Sequence, residues 1–451
     1  MKKINNKITD KKNQKILEAK KIIKEQKKKI KLEKQAIRKK KREDFKKTKL
    51  GKLCFWVSDD RDSYSFSEMF GVTILSLLLG VFACFSTFTI ISGGRNYFKM
   101  AKQLSKFYDV YDVIVSNYYG EVNKDDLIEA AIDGMVSSVG DVYTSYNDAK
   151  ATDSFNQMVN GTYEGIGCTI TLKDNNVVVV EVYDNTSASK AGLKENDIIK
   201  TVDDKAATEL GVDKLSNYIK NEATGKIKMV IIRDEKEKSL TLERGKVEIP
   251  SIKTEIYEKN NKKIGYIDIS IFSSVTAKQF DEELNKLEDK KIDGLVIDVR
   301  DNNGGYLTSV TDIISEFLPK GKVIYQIQVD DKTKVTKDKT AEKREYPVAV
   351  LTNGASASAS EILAAAIKES YNGYVVGTKT YGKGTVQQVR QLSDGSMIKY
   401  TVENWLTPNG NWINEKGIEP TDNVVLNEEY YKEPKVENDK KIKKALELLS
   451  K

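Results

Sequence analysis

Between Met69 and Ile91 the chain reads MFGVTILSLLLGVFACFSTFTII, 23 residues without a charged side chain. At about 1.5 Å per residue, a helix of that length crosses a hydrocarbon core of about 30 Å. Lipid offers the backbone no hydrogen-bond partners, so such a run is committed to a helix. It starts too far into the chain, and is too long, for a cleavable signal peptide. One transmembrane helix is predicted, with different solvents on its two sides.

Orientation follows from charge. Residues 1–52 carry 23 Lys and Arg against 6 Asp and Glu, whereas the chain as a whole has 74 against 67. The flanks themselves are balanced, with Lys49, Lys52 and Arg61 before the run and Arg95, Lys99, Lys102 and Lys106 after it. Translocating a tail this rich in lysine is unfavourable, which places the N-terminus in the cytoplasm and residues beyond about 93 outside. The tail has no Pro or Gly over residues 1–50, and Ile16, Ile23, Ile30 and Ile37 recur every seven residues. Ala19, Gln26, Glu33 and Lys40 at the companion positions do not complete an apolar seam, so the tail reads as a charged, solvated segment near anionic lipid.

The 451-residue chain contains no histidine, which excludes Ser-His and Cys-His mechanisms and histidine metal sites. Cys54, Cys84 and Cys168 are too scattered for a disulfide framework or a zinc site. Neither metal nor cofactor is expected.

Past the membrane, Leu104, Phe107, Tyr108, Tyr111 and Val115 keep helical spacing, as do Leu127, Ala131 and Met135, and predict a helical hairpin. Residues 161–245 form a small β-rich module, with VVVVEVY, DIIKTVDD, IKMVIIR and KSLTLER as strands and a helix around Leu215 and Ile219. From about 250, strands and helices alternate. KIGYIDIS is a strand, GLVIDVR and PVAVLT are strands of the buried parallel type, and helices follow through Phe280, Val310 and Ile362. The expected fold is an α/β (α+β) core carrying an inserted β-rich domain, preceded by a helical segment and one transmembrane helix.

Two strand ends stand out, VIDVRDNNGG and VAVLTNGASASASE, because loops at the carboxyl ends of parallel strands hold the sites of such sheets. A serine there is a poor nucleophile unless a base takes its proton, and without histidine the candidates are Lys, Asp and Glu. Lys383, in YGKGT, serves if burial keeps it neutral. The surrounding GTKTYGKGT imitates a phosphate loop, but Gly384 stands where the Mg²⁺-binding hydroxyl belongs, and TVQQVRQL after it alternates like a strand. Two S-x-x-K matches, Ser187 to Lys190 and Ser396 to Lys399, lie away from the strand ends and read as chance.

The ordered blocks GIGCTI, AGLKENDIIK, YIDISIF, IDVRDNNGG, NGASASASEILAAAI, GTKTYGKGTVQQ and LTPNGNWINEKGIEP resemble the carboxyl-terminal processing proteases of peptidase family S41 over about residues 100–425. The resemblance implies a PDZ domain at 159–246 and a protease core at 247–425. Around these lie a basic cytoplasmic tail (1–68), the membrane helix (69–92), a helical part (100–158) and a charged C-terminal helix (426–451). It implies a Ser-Lys-Gln site, with Ser358 as nucleophile, Lys383 as base and Gln387 orienting the lysine. The backbone N–H groups of Ala359 and Gly305 would hold the oxyanion. In the PDZ domain, exposed N–H groups of Gly165, Ile166 and Gly167 would cap a peptide C-terminus, with Leu215 and Ile219 forming an apolar pocket or simply helix core. Three positions depart from the family pattern: Asn303 replaces a proline, Val142 replaces the proline of a D-P-Y loop, and the late PDZ turn is shortened to NEATGK.

The expected function is cleavage of protein or peptide substrates outside the cytoplasmic membrane by a membrane-anchored serine endopeptidase. The alternative is an inert PDZ scaffold. No nucleic-acid partner is expected. The hairpin at 104–138 suits homodimerisation, as related enzymes suggest, or packing on its own domain.

Overall fold

The computed structural model describes residues 2–48, 66–91, 97–340 and 343–451. Cys54 and the flanking charges Lys49, Lys52, Arg61 and Arg95 lie outside them. The chain divides into two units, residues 1–121 and 122–451.

The first unit is helical. Helix α1 spans Lys2–Lys47, and Ile23, Ile30 and Ile37 on it are all exposed, as a solvated helix requires. Helix α2 runs Phe66–Ile91 and encloses the uncharged run. Leu77, Leu78, Leu79 and Phe82 stand on its surface at about 60–70% exposure, so no core among the described residues accounts for them. Among the described residues this is the one helix long and apolar enough to cross a membrane. Helix α3, Tyr97–Asn117, completes the unit.

The second unit opens with α4 (Lys124–Ser137), capped by the Asn123 side chain, followed by strand β1 (Ser145–Asn147) and α5 (Ala149–Asn160). A strand pair, β2 (Thr162–Gly165) with β9 (Gly245–Glu248), brackets the inserted domain. Inside it lie β3 (Cys168–Lys173), β4 (Asn176–Val182), the short α6 (Ser187–Lys190), β5 (Ile198–Val202) and β6 (Lys205–Ala206). Helix α7 (Ala207–Asn217), β7 (Lys226–Arg233) and β8 (Lys236–Glu243) complete the domain. Its sheet has the order β3-β4-β5-β7-β8 around a core of its own that includes Val177, Ile199, Leu215, Ile227 and Leu242.

The main sheet takes the order β10-β11-β12-β15-β16-β19, from β10 (Ile252–Lys259), β11 (Lys262–Ile269), β12 (Gly294–Asp298), β15 (Val348–Thr352), β16 (Tyr374–Gly377) and β19 (Asp422–Asn423). From β11 onward its pairings are parallel, including that of β12 with β15, the two apolar runs expected to be so. Both β12 and β15 are buried along their whole length because each has a helical layer on either side. Alternation decides which residue meets which layer. Ile267, Leu295, Ile297, Val348 and Val350 face α8 (Thr276–Asp289), α9 (Leu307–Ser315) and α10 (Ala359–Ala366). Ile264, Val296, Ala349, Leu351 and Val376 face the C-terminal helix.

That C-terminal segment differs from the single charged helix expected. It forms a short α11 (Glu428–Lys432) and then α12 (Lys440–Leu449), whose Ile442, Ala445, Leu446, Leu448 and Leu449 are buried against the sheet. Each large apolar side chain so buried contributes about 2 kcal/mol. The lysines of KKIKKALELL obscure a regular apolar stripe. A buried charge cluster fixes the start of α12 to the carboxyl ends of the strands. Arg300 bonds Asp298 and Asp439 at 2.6 and 2.7 Å, and Lys441 Nζ donates to Thr352 O at 2.9 Å.

A second sheet, β1-β18-β13-β14 with β17 also on β18, uses β13 (Val323–Val329), β14 (Lys332–Lys337), β17 (Thr385–Gln391) and β18 (Met397–Leu406).

Candidate active site

The β15 strand ends at Thr352 and the chain turns through residues 353–358 into α10. Of the three serines in this turn and the start of α10, two are tied down and fully buried. Ser356 Oγ donates to Val299 O and Ser360 Oγ donates to Asn302 O, each at 2.8 Å. Ser358 is the half-exposed one, at φ +54° and ψ −111°, a backbone conformation that costs a non-glycine residue roughly 1–3 kcal/mol. The surrounding bonds impose it. The turn therefore presents one serine side chain at the carboxyl end of the sheet.

The loop after β12 lies directly against it. A Cβ on Gly304 would come within 2.9 Å of Ser358 Cβ, and one on Gly305 would meet Phe272 O at 2.1 Å, with φ at +105° and +144°. Glycine is obligatory at both positions because backbone crosses backbone there. Among the described residues, neither the Gly305 N–H nor the Ala359 N–H has an acceptor, so both are free to receive a developing negative charge. Asn302, fully buried, fastens this loop: its side chain donates to Ile269 O at 2.7 Å and accepts from Gly304 N at 2.8 Å, while its carbonyl accepts from Ala357 N. Asn303, which stands where the family has proline, is exposed beside it. Sequence reasoning passed over Asn302, which has no spacing signature.

Lys383 sits between β16 and β17. Its flanking glycines are needed for close approach to residues 414–417: a Cβ on Gly384 would lie 2.6 Å from Asn414 N, and one on Gly382 3.0 Å from Lys416 N. Trp405 Nε1 donates to Lys383 O at 2.7 Å and Trp412 Nε1 to Gly384 O at 3.1 Å. The segment that follows is β17, a strand, so the stretch lacks the helix a phosphate loop requires. Burial, helped by the nearby Lys399 ammonium, pulls the Lys383 pKa down to about 8, against the opposing pull of Glu361 and Asp141.

One residue not singled out from sequence joins the two loops. Glu361 is fully buried, and its carboxylate accepts from Ser358 N (2.8 Å), Gly382 N (2.7 Å), Lys383 N (2.9 Å) and Thr380 Oγ1 (2.6 Å). Burial raises its pKa, and these four donors counter the rise. Its place three residues after a helix-capping serine is a capping-box signal that sequence alone could have shown.

Gln387 lies on β17 next to a register shift in the pairing with β18, and its amide donates to Thr385 Oγ1 at 2.9 Å and Thr401 Oγ1 at 3.2 Å. Among the described residues, Lys383 Nζ makes no hydrogen bond to Gln387 or Ser358. It lies 4.8 Å from the centre of the Tyr143 ring.

In the inserted domain, Gly165, Ile166 and Gly167 are buried rather than exposed, with the Tyr163 ring lying over Gly165. Next to them is a narrow cavity of about 40 Å³ lined by Ile166, Cys168, Ile170, Ile199 and Ile219. Ile219 faces this space. Leu215 does not line it and belongs wholly to the domain core, because its helical position points inward at 0% exposure.

Known proteins resemble the chain along most of its length. The model described as peptidase family S41 matches residues 263–424, that of a PDZ domain residues 164–243, and that of the activating protease CtpB N-terminal domain residues 88–151. The carboxy-terminal processing protease CtpB of Bacillus subtilis is 40% identical over 324 residues, covering 71% of this chain and 67% of the relative. CtpA of the same organism is 34% identical over 343 residues, 76% of this chain and 73% of the relative. A probable CtpA-like serine protease of Staphylococcus aureus (strain MRSA252) is 31% identical over 357 residues, 77% and 71% of the two chains.

Proposed function

The chain belongs to peptidase family S41, the carboxy-terminal processing serine proteases with a PDZ domain, and we propose that it is anchored by α2 and cuts protein substrates outside the cytoplasmic membrane with Ser358, Lys383 and Gln387. The observation that carries this reading is the strained, half-exposed Ser358 joined through Glu361 to the loop of a lysine whose charge burial disfavours. Neutral Lys383 takes the Ser358 proton as Oγ attacks the scissile carbonyl. The oxyanion that forms accepts from the N–H groups of Gly305 and Ala359, and the lysine ammonium passes its proton to the departing amine. Water then hydrolyses the acyl-enzyme by the same route in reverse. Gln387 steers the lysine once its amide turns from Thr385 and Thr401.

Substrate recognition is assigned to the PDZ domain. An extended segment with a free carboxyl end adds to β3, and its last side chain enters the cavity beside Ile219. Ser358→Ala and Lys383→Ala should each abolish cleavage of an unfolded protein such as casein by the purified chain. Activity surviving in either variant would falsify the assignment.

A further inference from the structure

The Lys383 ammonium faces an aromatic ring instead of a hydroxyl. Tyr143 belongs to the loop GDVYTSY, for which sequence supplied no role beyond packing, and its ring centre is 4.8 Å from Nζ. The ring is fixed in place. Asp141 accepts from Tyr143 N at 3.1 Å and from Thr144 Oγ1 at 2.5 Å, Thr401 N donates to Thr144 Oγ1 at 3.3 Å, and β1 pairs Ser145 with Lys399 on β18. The same β18 carries Thr401, to which the Gln387 amide is bonded. One sheet thus fixes the ring and holds the group that would steer the lysine elsewhere.

We propose that Tyr143 is a positioning residue that latches the charged Lys383: its ring face holds the ammonium short of Ser358 and lets it go when the proton leaves. The chemistry is that of a cation over an aromatic face, an attraction that exists for the ammonium and disappears for the neutral amine. Only the neutral amine can accept the Ser358 proton. The latch therefore makes deprotonation and the movement toward the nucleophile one event, and it keeps the resting site from being assembled. The inference rests on the reading of Lys383 as the base.

The other charged and titratable groups facing the lysine are Lys399 on β18, which disfavours its charge, and Glu361 on α10 and Asp141 on the loop, which favour it. The Tyr143 phenol is itself paired with that of Tyr381 and, half-buried, has its pKa pushed up to about 12 by partial desolvation, so the ring stays neutral throughout the working range. Removing the ring while keeping an apolar cover takes away a contact specific to the charged form.

The test is the pH profile of kcat/KM for casein cleavage by the full chain in detergent. In Tyr143→Phe the ring remains, and the acid limb should stay near the wild-type position. In Tyr143→Leu it should move down by about one pH unit, the size expected when ring attraction to a desolvated cation is lost. Cleavage at pH 7 should then rise several-fold. A loss of packing alone would lower the rate without moving the limb. Should Tyr143→Leu lack a cooperative melt, Tyr143→Met serves in its place with the same expectation. An unmoved limb in the ringless variant, or equal shifts in the Phe and Leu variants, overturns the latch. If Lys383→Ala still cleaves, the base assignment falls and the latch falls with it, an outcome distinguishable because it does not depend on Tyr143.

Discussion

At the scale of single residues, the site depends on which groups are denied alternatives. Ser356 and Ser360 spend their hydroxyl protons on backbone carbonyls, so the middle serine of the run is the one whose proton is not committed to a backbone carbonyl. Gly305 is constrained from two sides, by its φ of +144° and by Phe272 O where a Cβ would stand. Gly305→Ala must push the loop away from Phe272, and we expect turnover to fall by about 100-fold or more, the usual effect of losing one oxyanion donor. Single-turnover kinetics beside a thermal melt would check this, since retained stability with retained turnover is incompatible with the role. For wild type, kcat/KM should fall tenfold per pH unit below about 8, because protonated Lys383 cannot act as a base. Ser358, Lys383 and the two glycine turns were legible in sequence because each is a local motif. Glu361, Asn302 and Tyr143 were not assigned roles because their partners are distant along the chain.

At the scale of elements, the C-terminal helix departs most from expectation. It was read as charged, yet α12 forms one whole layer of the sheet and reaches the strand ends through Asp439 and Lys441. Buried Lys441 has its pKa pulled down to about 8, first by burial and then by Arg300, from an ordinary value of 10.5. Between those two values the unfolded chain keeps a proton that the folded chain has released, so this group's contribution to stability rises with pH and is lost as pH falls toward 8. Urea melts at pH 7.5, 9 and 10 should therefore show wild type gaining on Lys441→Met as pH rises. A constant gap between the two would rule out this account of the buried lysine.

At the scale of the whole molecule, the chain combines parts with separate cores. The inserted domain has its own apolar core and its own sheet, bracketed by β2 and β9. Helix α2 exposes large apolar side chains that no described residue covers. If it is the anchor, a chain lacking residues 66–91 should leave the membrane fraction for the soluble one, while the full chain resists alkaline carbonate extraction. Full chain released by carbonate would count against the anchor.

Sequence by itself determined the membrane-length helix, the parallel strands of the core, the strand character of residues 385–391 and the family, because apolar runs, periodicity and contiguous motifs are properties of neighbouring residues. Only the tertiary structure decided that Glu361 joins the Ser358 turn to the Lys383 loop, that α12 is a core layer, that Leu215 is core while Ile219 faces a cavity, and that the Lys383 ammonium rests on Tyr143. Each of these depends on contacts between segments far apart in the chain, and close packing, rather than any local preference, selects among the partners that composition allows.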